Sequence, residues 1–229
     1  MPNDYVDMVI TSPPYNVGGN NMTDCKYKEY SDNLSGEDYF KFIDEVINEM
    51  IRVTKNYVFF NIQILSANKL AMFEIIGKHK NNLKEILIWN KKMVAPAIEP
   101  GVLNSKFEFI FVFTKNNPHK RKFDYCFFEQ GRLNNVIEGK NNSSNKWAKQ
   151  HAAAFPDYFV RFFVKNFSKE KDIILDPFVG TGTVAFVSKM ENRQFIGFDI
   201  NKEYVEIAND RLRQESVLNF CSNETHNIK

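Results

Sequence analysis

An α/β fold, with a mostly parallel sheet, an antiparallel hairpin at one edge and helices on both faces, is predicted by three features of the sequence. Short apolar runs alternate with helical patterns along the chain, as strands joined by crossover helices do. Most of those runs are apolar at consecutive positions, which suits strands covered on both faces. One run, Ile173–Leu175, is followed by Gly180-Thr181-Gly182-Thr183 at the head of a new helical pattern, the arrangement by which a parallel sheet presents a ligand loop.

The elements follow in order. Strands are predicted at Val6–Ile10, Tyr57–Ile62, Glu85–Trp89, Phe107–Phe113, Ile173–Leu175 and Phe195–Ile200. Leu34-Ser35-Gly36-Glu37-Asp38 reads as a capped helix start, because a serine hydroxyl there can accept from an N–H of the first turn. Tyr39, Phe40, Phe42, Ile43, Val46, Ile47 and Met50 then recur at helical spacing through residue 53. Further helices are predicted over 64–79, 157–167, 182–191 and 202–214. The run Phe107–Thr114 pairs with Glu85–Trp89 as the hairpin. Most of the 22 phenylalanines fall at these apolar positions and are read as core.

A chain of 229 residues fits one domain with a substantial core. Its formal charge of +2 does not by itself demand nucleic acid, so electrostatics must be sought locally. Cys25, Cys126 and Cys221 are scattered and odd in number, against a disulfide framework or a zinc site, and no metal is expected. No apolar run reaches the roughly 18 residues of a membrane span, and no signal pattern opens the chain. A reducing cytoplasm is the expected location.

Two motifs carry chemistry. Thr11-Ser12-Pro13-Pro14-Tyr15 ends the first apolar run. Two prolines fix the backbone and give up their N–H groups, leaving carbonyls free as acceptors. With the Ser12 hydroxyl these suit an NH₂ donor, and Tyr15 offers an aromatic face for a ring. A plain Pro-Pro turn with an incidental tyrosine is the alternative.

The second motif is Asp172-Ile-Ile-Leu-Asp176-Pro177-Phe178-Val-Gly180-Thr-Gly182-Thr183, a strand, a glycine turn and a helix start near Thr183. Gly180 and Gly182 permit positive φ and close backbone approach, and the helix aims unpaired N–H groups at the loop. Asp199 ends the next strand about twenty residues on, where a carboxylate meets ribose hydroxyls. The Gly-Lys-Ser/Thr ending of phosphate loops is absent, as is the Gly-x-Gly-x-x-Gly of dinucleotide sites. A plain glycine turn remains the alternative.

Together the motifs resemble the amino-type DNA methyltransferases, which move methyl from S-adenosylmethionine to the exocyclic amine of cytosine or adenine. In that family an SPPY or DPPY element grips the amine and an FxGxG loop binds the cofactor. The target motif comes first here, as in the β group. His151-Ala-Ala-Ala-Phe155-Pro156 resembles the family's HPAxFP stretch, and Leu87–Lys91 with Phe107–Lys115 resembles its late strand pair.

The resemblance implies a Rossmann-like S-adenosylmethionine methyltransferase fold, with 1–229 a single catalytic domain. It assigns Thr11, Phe155, Asp176, Pro177, Phe178, Gly180, Gly182, Thr183 and Asp199 to the cofactor, and Ser12, Pro13, Pro14 and Tyr15 to the target base. SPPY accompanies cytosine-N4 specificity more often than adenine-N6, so cytosine is the expected base, with adenine or a non-catalytic DNA-binding subunit as alternatives. No Pro-Cys dipeptide occurs, against ring-carbon methylation through a cysteine thiolate.

Residues 115–149 carry eight Lys or Arg against three Asp or Glu, a formal +5, interleaved with Phe123, Tyr125, Phe127, Phe128 and Trp147. The family places its target-recognition insertion near here, so Lys120, Arg121, Lys122, Arg132 and Lys146 are the expected contacts to double-stranded DNA. The alternative is a surface loop with a few anchoring aromatics. The insertion is short, so a homodimer or a partner subunit is expected to complete the grip. Residues 16–33 read as a loop that closes over substrate or as a plain connector. Most β-group relatives carry another strand ahead of the target motif. A late start, a shortened sheet or the segment Ser216–Phe220 taking that strand's place would each account for its lack.

Overall fold

Seven strands form one sheet in a computed structural model that describes residues 1–17, 32–94, 96–97, 100–140 and 154–224, with the backbone alone over 215–224. The strands are β1 (Val6–Thr11), β2 (Thr54–Ile62), β3 (Leu83–Lys91), β4 (Phe107–Phe113), β5 (Val136–Gly139), β6 (Ile173–Asp176) and β7 (Gln194–Gly197). Their spatial order is β5-β3-β4-β2-β1-β6-β7. Strand β4 pairs antiparallel with both β2 and β3, and every other pairing is parallel. The ends of β1, β2, β3, β5, β6 and β7 therefore share one rim with the start of β4.

Alternation within the strands builds two cores. Met8, Ile10, Tyr57, Phe59, Ile110, Val112 and Ile174 point to one face and pack with α3 (Asp157–Phe167) and α4 (Thr183–Met190). Val9, Val58, Phe60, Phe111, Phe113 and Leu175 point to the other, beneath α1 (Gly36–Val53) and α2 (Lys69–Lys78). Both sets are buried, which is why consecutive positions are apolar. Helix α1 begins as its sequence dictates, with Ser35 Oγ accepting from Asp38 N at 3.1 Å. Asp44 on α1 then meets Lys78 and His79 at the end of α2, each at 2.8 Å. Burial pushes the Asp44 carboxyl up, and these two hydrogen bonds outweigh it, so its pKa is lowered.

Several elements differ from the sequence reading. The β3–β4 hairpin is not the outermost pair, because β5 adds itself in parallel to β3 with Ile88 opposite Val136 and Lys91 opposite Gly139. Only four residues long and half polar, β5 carries no periodic signal, and its register is fixed by the strand it joins. Helix α5 runs Lys202–Glu224, so Ser216–Phe220 is helical and does not extend the sheet. Helix α2 starts at Lys69, later than residue 64, where Asn68 Oδ1 accepts from Leu65 N at 2.8 Å. Among the described residues no helix is long and apolar enough to cross a membrane, and no His, Cys, Asp or Glu cluster could hold a metal.

Candidate active site

Parallel pairing of β1 and β6 brings their ends together, and with them the two motifs. Thr11 Oγ1 donates to Asp176 Oδ1 at 2.6 Å across 165 positions of sequence. The same Asp176 oxygen accepts from Phe178 N at 3.0 Å, which bends the chain into the glycine turn. Burial pushes the Asp176 carboxyl up to about 7, with the charge of Asp199 adding to it and the Thr11 and Phe178 bonds opposing.

Gly180 and Gly182 both take positive φ, +49° and +79°, as the turn requires. A Cβ on Gly182 would lie 2.8 Å from that of Ala208, so the loop rests directly on α5. Asp199 Oδ2 accepts from Gly180 N and Oδ1 from Asn201 N, each at 2.9 Å; the acid shapes the loop as well as facing it. Arg211, fully buried on α5, donates to Thr183 Oγ1 and Asp157 Oδ1, both at 3.0 Å, and covers the Phe186 ring. Its guanidinium thereby fixes the starts of α3 and α4. Arg211→Leu is expected to lower stability by about 1–2 kcal/mol, since it removes a buried guanidinium that ties Thr183 to the partly exposed Asp157; urea melts measure it.

The loop fits a polar nucleoside cofactor by its own unsatisfied groups. Thr181 Oγ1 is buried without a partner, and the head of α4 has no side-chain cap, leaving N–H donors for a ligand. Pro177 and Phe178 line the turn half-buried, with Phe178 edge-on to Phe42 at 6.1 Å. Phe155 packs in the core against Trp89 and Phe159, with centroids 6.4 and 4.8 Å away. Residues 151–153 lie outside the described residues.

On the target side the turn is rigid and its acceptors are sorted. Tyr39 Oη donates to Pro14 O at 2.9 Å and Asn68 Nδ2 to Tyr15 O at 2.8 Å. Pro13 O accepts from none of the described residues. Asn16, at φ +58°, exchanges hydrogen bonds with Leu34, while Asp32 takes the N–H groups of Asn16 and Val17. The base of the 16–33 segment is thereby closed; residues 18–31 lie outside the described residues.

Sequence reasoning missed the groups behind the turn. Ser12 Oγ is 2.7 Å from Tyr15 Oη, which donates to Glu108 Oε2 at 2.9 Å. Asn61 Nδ2 reaches both Tyr15 Oη and Glu108 Oε2, at 2.9 and 2.6 Å, and Lys91 Nζ donates to Glu108 Oε1 at 2.9 Å. Burial first, then the charge of Glu108, holds the Tyr15 phenol well above its ordinary pKa. The available signal was a lone acid in the apolar run Phe107–Phe113 and a lysine closing Leu87–Lys91, charges that a strand buried on both faces does not carry idly.

The basic segment lies apart from the two loops. Strand β4 runs away from the site, so Lys115 sits at the far rim, paired with Asp4 and donating to Arg52 O. Lys120, Arg121 and Lys122 follow there, roughly 20 Å from Glu108 along a seven-residue strand. Lys84, 8% exposed, binds the carbonyls of Asn117, Lys120 and Lys122 and pins them at that end. Phe123, Tyr125 and Phe128 pack on the core, with Phe123 edge-on to Tyr57 at 5.1 Å. Arg132 is exposed and paired with Glu129. The site is not where these cations are; Lys146 lies outside the described residues. Lys92, Lys106 and Lys140 are exposed cations at the site rim, drawn together where Lys91 N bonds Lys106 O and Lys92 N bonds Gly139 O.

Known proteins share both sequence and fold. The family model described as DNA methylase, of the N6 and N4 type, matches residues 6–210. The type II methyltransferase M.HpaI of Haemophilus parainfluenzae is 32% identical over 231 residues, 92% of this chain and 69% of that protein. The PvuII DNA methyltransferase, cytosine-N4-specific, superposes with TM-score 0.71 at 19% identity, over 92% of this chain and 80% of that one. A DNA modification methylase from Thermus thermophilus, complexed with S-adenosyl-L-methionine and itself described as putative, gives 0.61 at 21% identity over 94% and 88%. A match running from the first strand to the last helix, over a sheet that joins the two motifs, leaves one conclusion: the chain belongs to the N6/N4 DNA methylase family.

Proposed function

We propose that this chain methylates the exocyclic N4 amine of cytosine in DNA, with the base turned out of the duplex. The observation that carries the reading is the Thr11–Asp176 hydrogen bond of 2.6 Å, which joins the glycine loop to the Ser-Pro-Pro-Tyr turn at one rim of the sheet. Serine at the head of the clamp supports cytosine, as does the fold shared with a cytosine-N4-specific enzyme.

The cofactor is S-adenosylmethionine, which when bound supplies a methyl group already activated on a sulfonium. The protein's part is placement. Rotating a base out of the stack costs a few kcal/mol, and the partly exposed Tyr15 ring offsets this by stacking, worth roughly 1–3 kcal/mol. Ser12 Oγ and Pro13 O accept the two amine protons, which favours a pyramidal nitrogen and aims its lone pair. Positioning of this kind accounts for most of the acceleration when one reactant is preactivated. The nitrogen gains the methyl and one N–H proton leaves to solvent. Thr181, the head of α4 and Asp176 hold the cofactor's polar groups, and Asp199 its ribose. Duplex DNA approaches over Lys92, Lys106 and Lys140, whose phosphate contacts give a salt-dependent, sequence-independent affinity.

Mass spectrometry of nucleosides from DNA of cells expressing the chain tests the reading. N4-methylcytosine is expected; N6-methyladenine alone would reassign the base, and no modified base would reject transfer to DNA. Tyr15→Ala is expected to cut kcat/KM about 10- to 100-fold, the equivalent of the lost stacking.

A further inference from the structure

We infer that Glu108 sets the direction of the hydrogen bonds behind the clamp, so that Ser12 meets the incoming amine only as an acceptor. This rests on the amine-methylation reading above. Glu108 is 7% exposed and stands at the start of β4, on the site rim. As a carboxylate beside the Lys91 ammonium, 2.9 Å away, it can accept hydrogen bonds and cannot donate them.

The rest follows by counting protons. Tyr15 Oη has one, and it goes to Glu108 Oε2. Asn61 Nδ2 gives its two to Tyr15 Oη and Glu108. In the 2.7 Å contact between Ser12 Oγ and Tyr15 Oη, the serine must therefore be the donor. With its single proton turned inward, Ser12 has only lone pairs to offer, and these match an amine N–H. Reversal of the chain would point the serine proton at the amine nitrogen and occupy the lone pair that has to attack.

A purely structural role explains these groups poorly. Replacing a buried ion pair by apolar residues is often neutral or stabilising, yet β3 and β4 carry Lys91 and Glu108 here. Asn61 Oδ1 is also left buried without a partner, an unmet cost of the kind that persists at functional sites. Glu108 is thus a positioning residue, acting on the reaction through Tyr15 and Ser12.

Glu108→Gln tests this, since an amide can donate to Tyr15 and turn the chain round. Single-turnover methylation of unmodified genomic DNA with labelled S-adenosylmethionine is expected to slow about 100-fold, with cofactor affinity and KM for DNA within about twofold. Lys91→Met/Glu108→Gln leaves no lone buried charge and is expected to fold and show the same loss. Adding Ser12→Ala to Glu108→Gln is expected to cost little more, because both act through one oxygen. Wild-type rates in the glutamine variants, or losses that multiply, overturn the inference. The ¹³Cζ resonance of Tyr15, assigned by its disappearance in Tyr15→Phe, reads the chain without turnover. It is expected to move in Lys91→Met/Glu108→Gln, and an unmoved signal overturns the inference. A wild-type chain that transfers no methyl rejects the proposed function, and the Tyr15 signal still decides the role of Glu108.

Discussion

Asp176→Asn is expected to make the protein more stable at pH 8 and to cripple it as a methyltransferase. The Asp176 carboxyl is 4% exposed and pushed up to about 7 by burial, against about 3.9 for an unfolded aspartate. A raised acid binds its proton more tightly when folded, so its ionisation opposes folding. The penalty begins above the unfolded pKa and is complete above the folded one, that is, it grows from about pH 4 to pH 7 and then stays constant. Three units correspond to about 4 kcal/mol, an order of magnitude for one buried group. Asparagine removes the charge and keeps an oxygen for the Thr11 hydroxyl and the Phe178 N–H.

Thermal melts check this directly. At roughly 2–4 °C per kcal/mol for a chain of this size, the variant is expected to melt several degrees above the wild type at pH 8. The gap is expected to shrink by more than half at pH 5. Cofactor binding should move the other way, weakening about 10- to 100-fold in calorimetry, because the acid proposed to hold the cofactor's polar groups loses its charge. A variant no more stable than the wild type at pH 8 would show that the acid is not held against its preference. Stability given up at a ligand loop is a common exchange.

Gly182→Val is expected to abolish cofactor binding. A φ of +79° excludes a β-branched residue, and the new Cβ would lie 2.8 Å from Ala208 Cβ and 3.1 Å from Ala208 Cα. The second contact is with backbone, so α4 must swing off α5, and the N–H groups at its head lose their aim. Loss of at least about 100-fold in affinity is expected, together with a fall of about 1–3 kcal/mol in stability. Gly182→Ala should be milder, and Gly182→Ala/Ala208→Gly milder still, since the nearest clashing atom is removed. Gly36→Ala is the control: a Cβ there meets nothing within 4 Å, and binding is expected to be unchanged. Undiminished binding by Gly182→Val would show that the loop is not seated on α5 during ligation.

Much of the fold was legible because local rules and tertiary demands agree. Helix α3 begins and ends where the pattern 157–167 places it, since its apolar stripe is the face that packs. Strand β4 matches Phe107–Phe113 to the residue, since all but its first residue is covered on either face. Strand β5 was not legible: four residues with Glu138 and Gly139 among them are held by pairing with β3, not by their own preference. The position of the basic segment was not legible for a related reason. Charge excess is a property of composition, whereas nearness to the pocket depends on the direction of β4 and on the carbonyls that Lys84 ties down.

By itself the sequence determined the family resemblance: a turn of Ser12 and two prolines, a glycine loop, and the alternation of strand and helix that carries them. Those features are local, set by φ restriction, turn geometry and periodic burial over a few residues each. Only the tertiary structure decided what the clamp faces. It brought Thr11 to Asp176, stood Glu108, Lys91 and Asn61 behind Tyr15, and sent Lys120, Arg121 and Lys122 to the opposite rim. Such placements come from strand order and direction, which are fixed by packing of the whole sheet and leave no mark on any one segment.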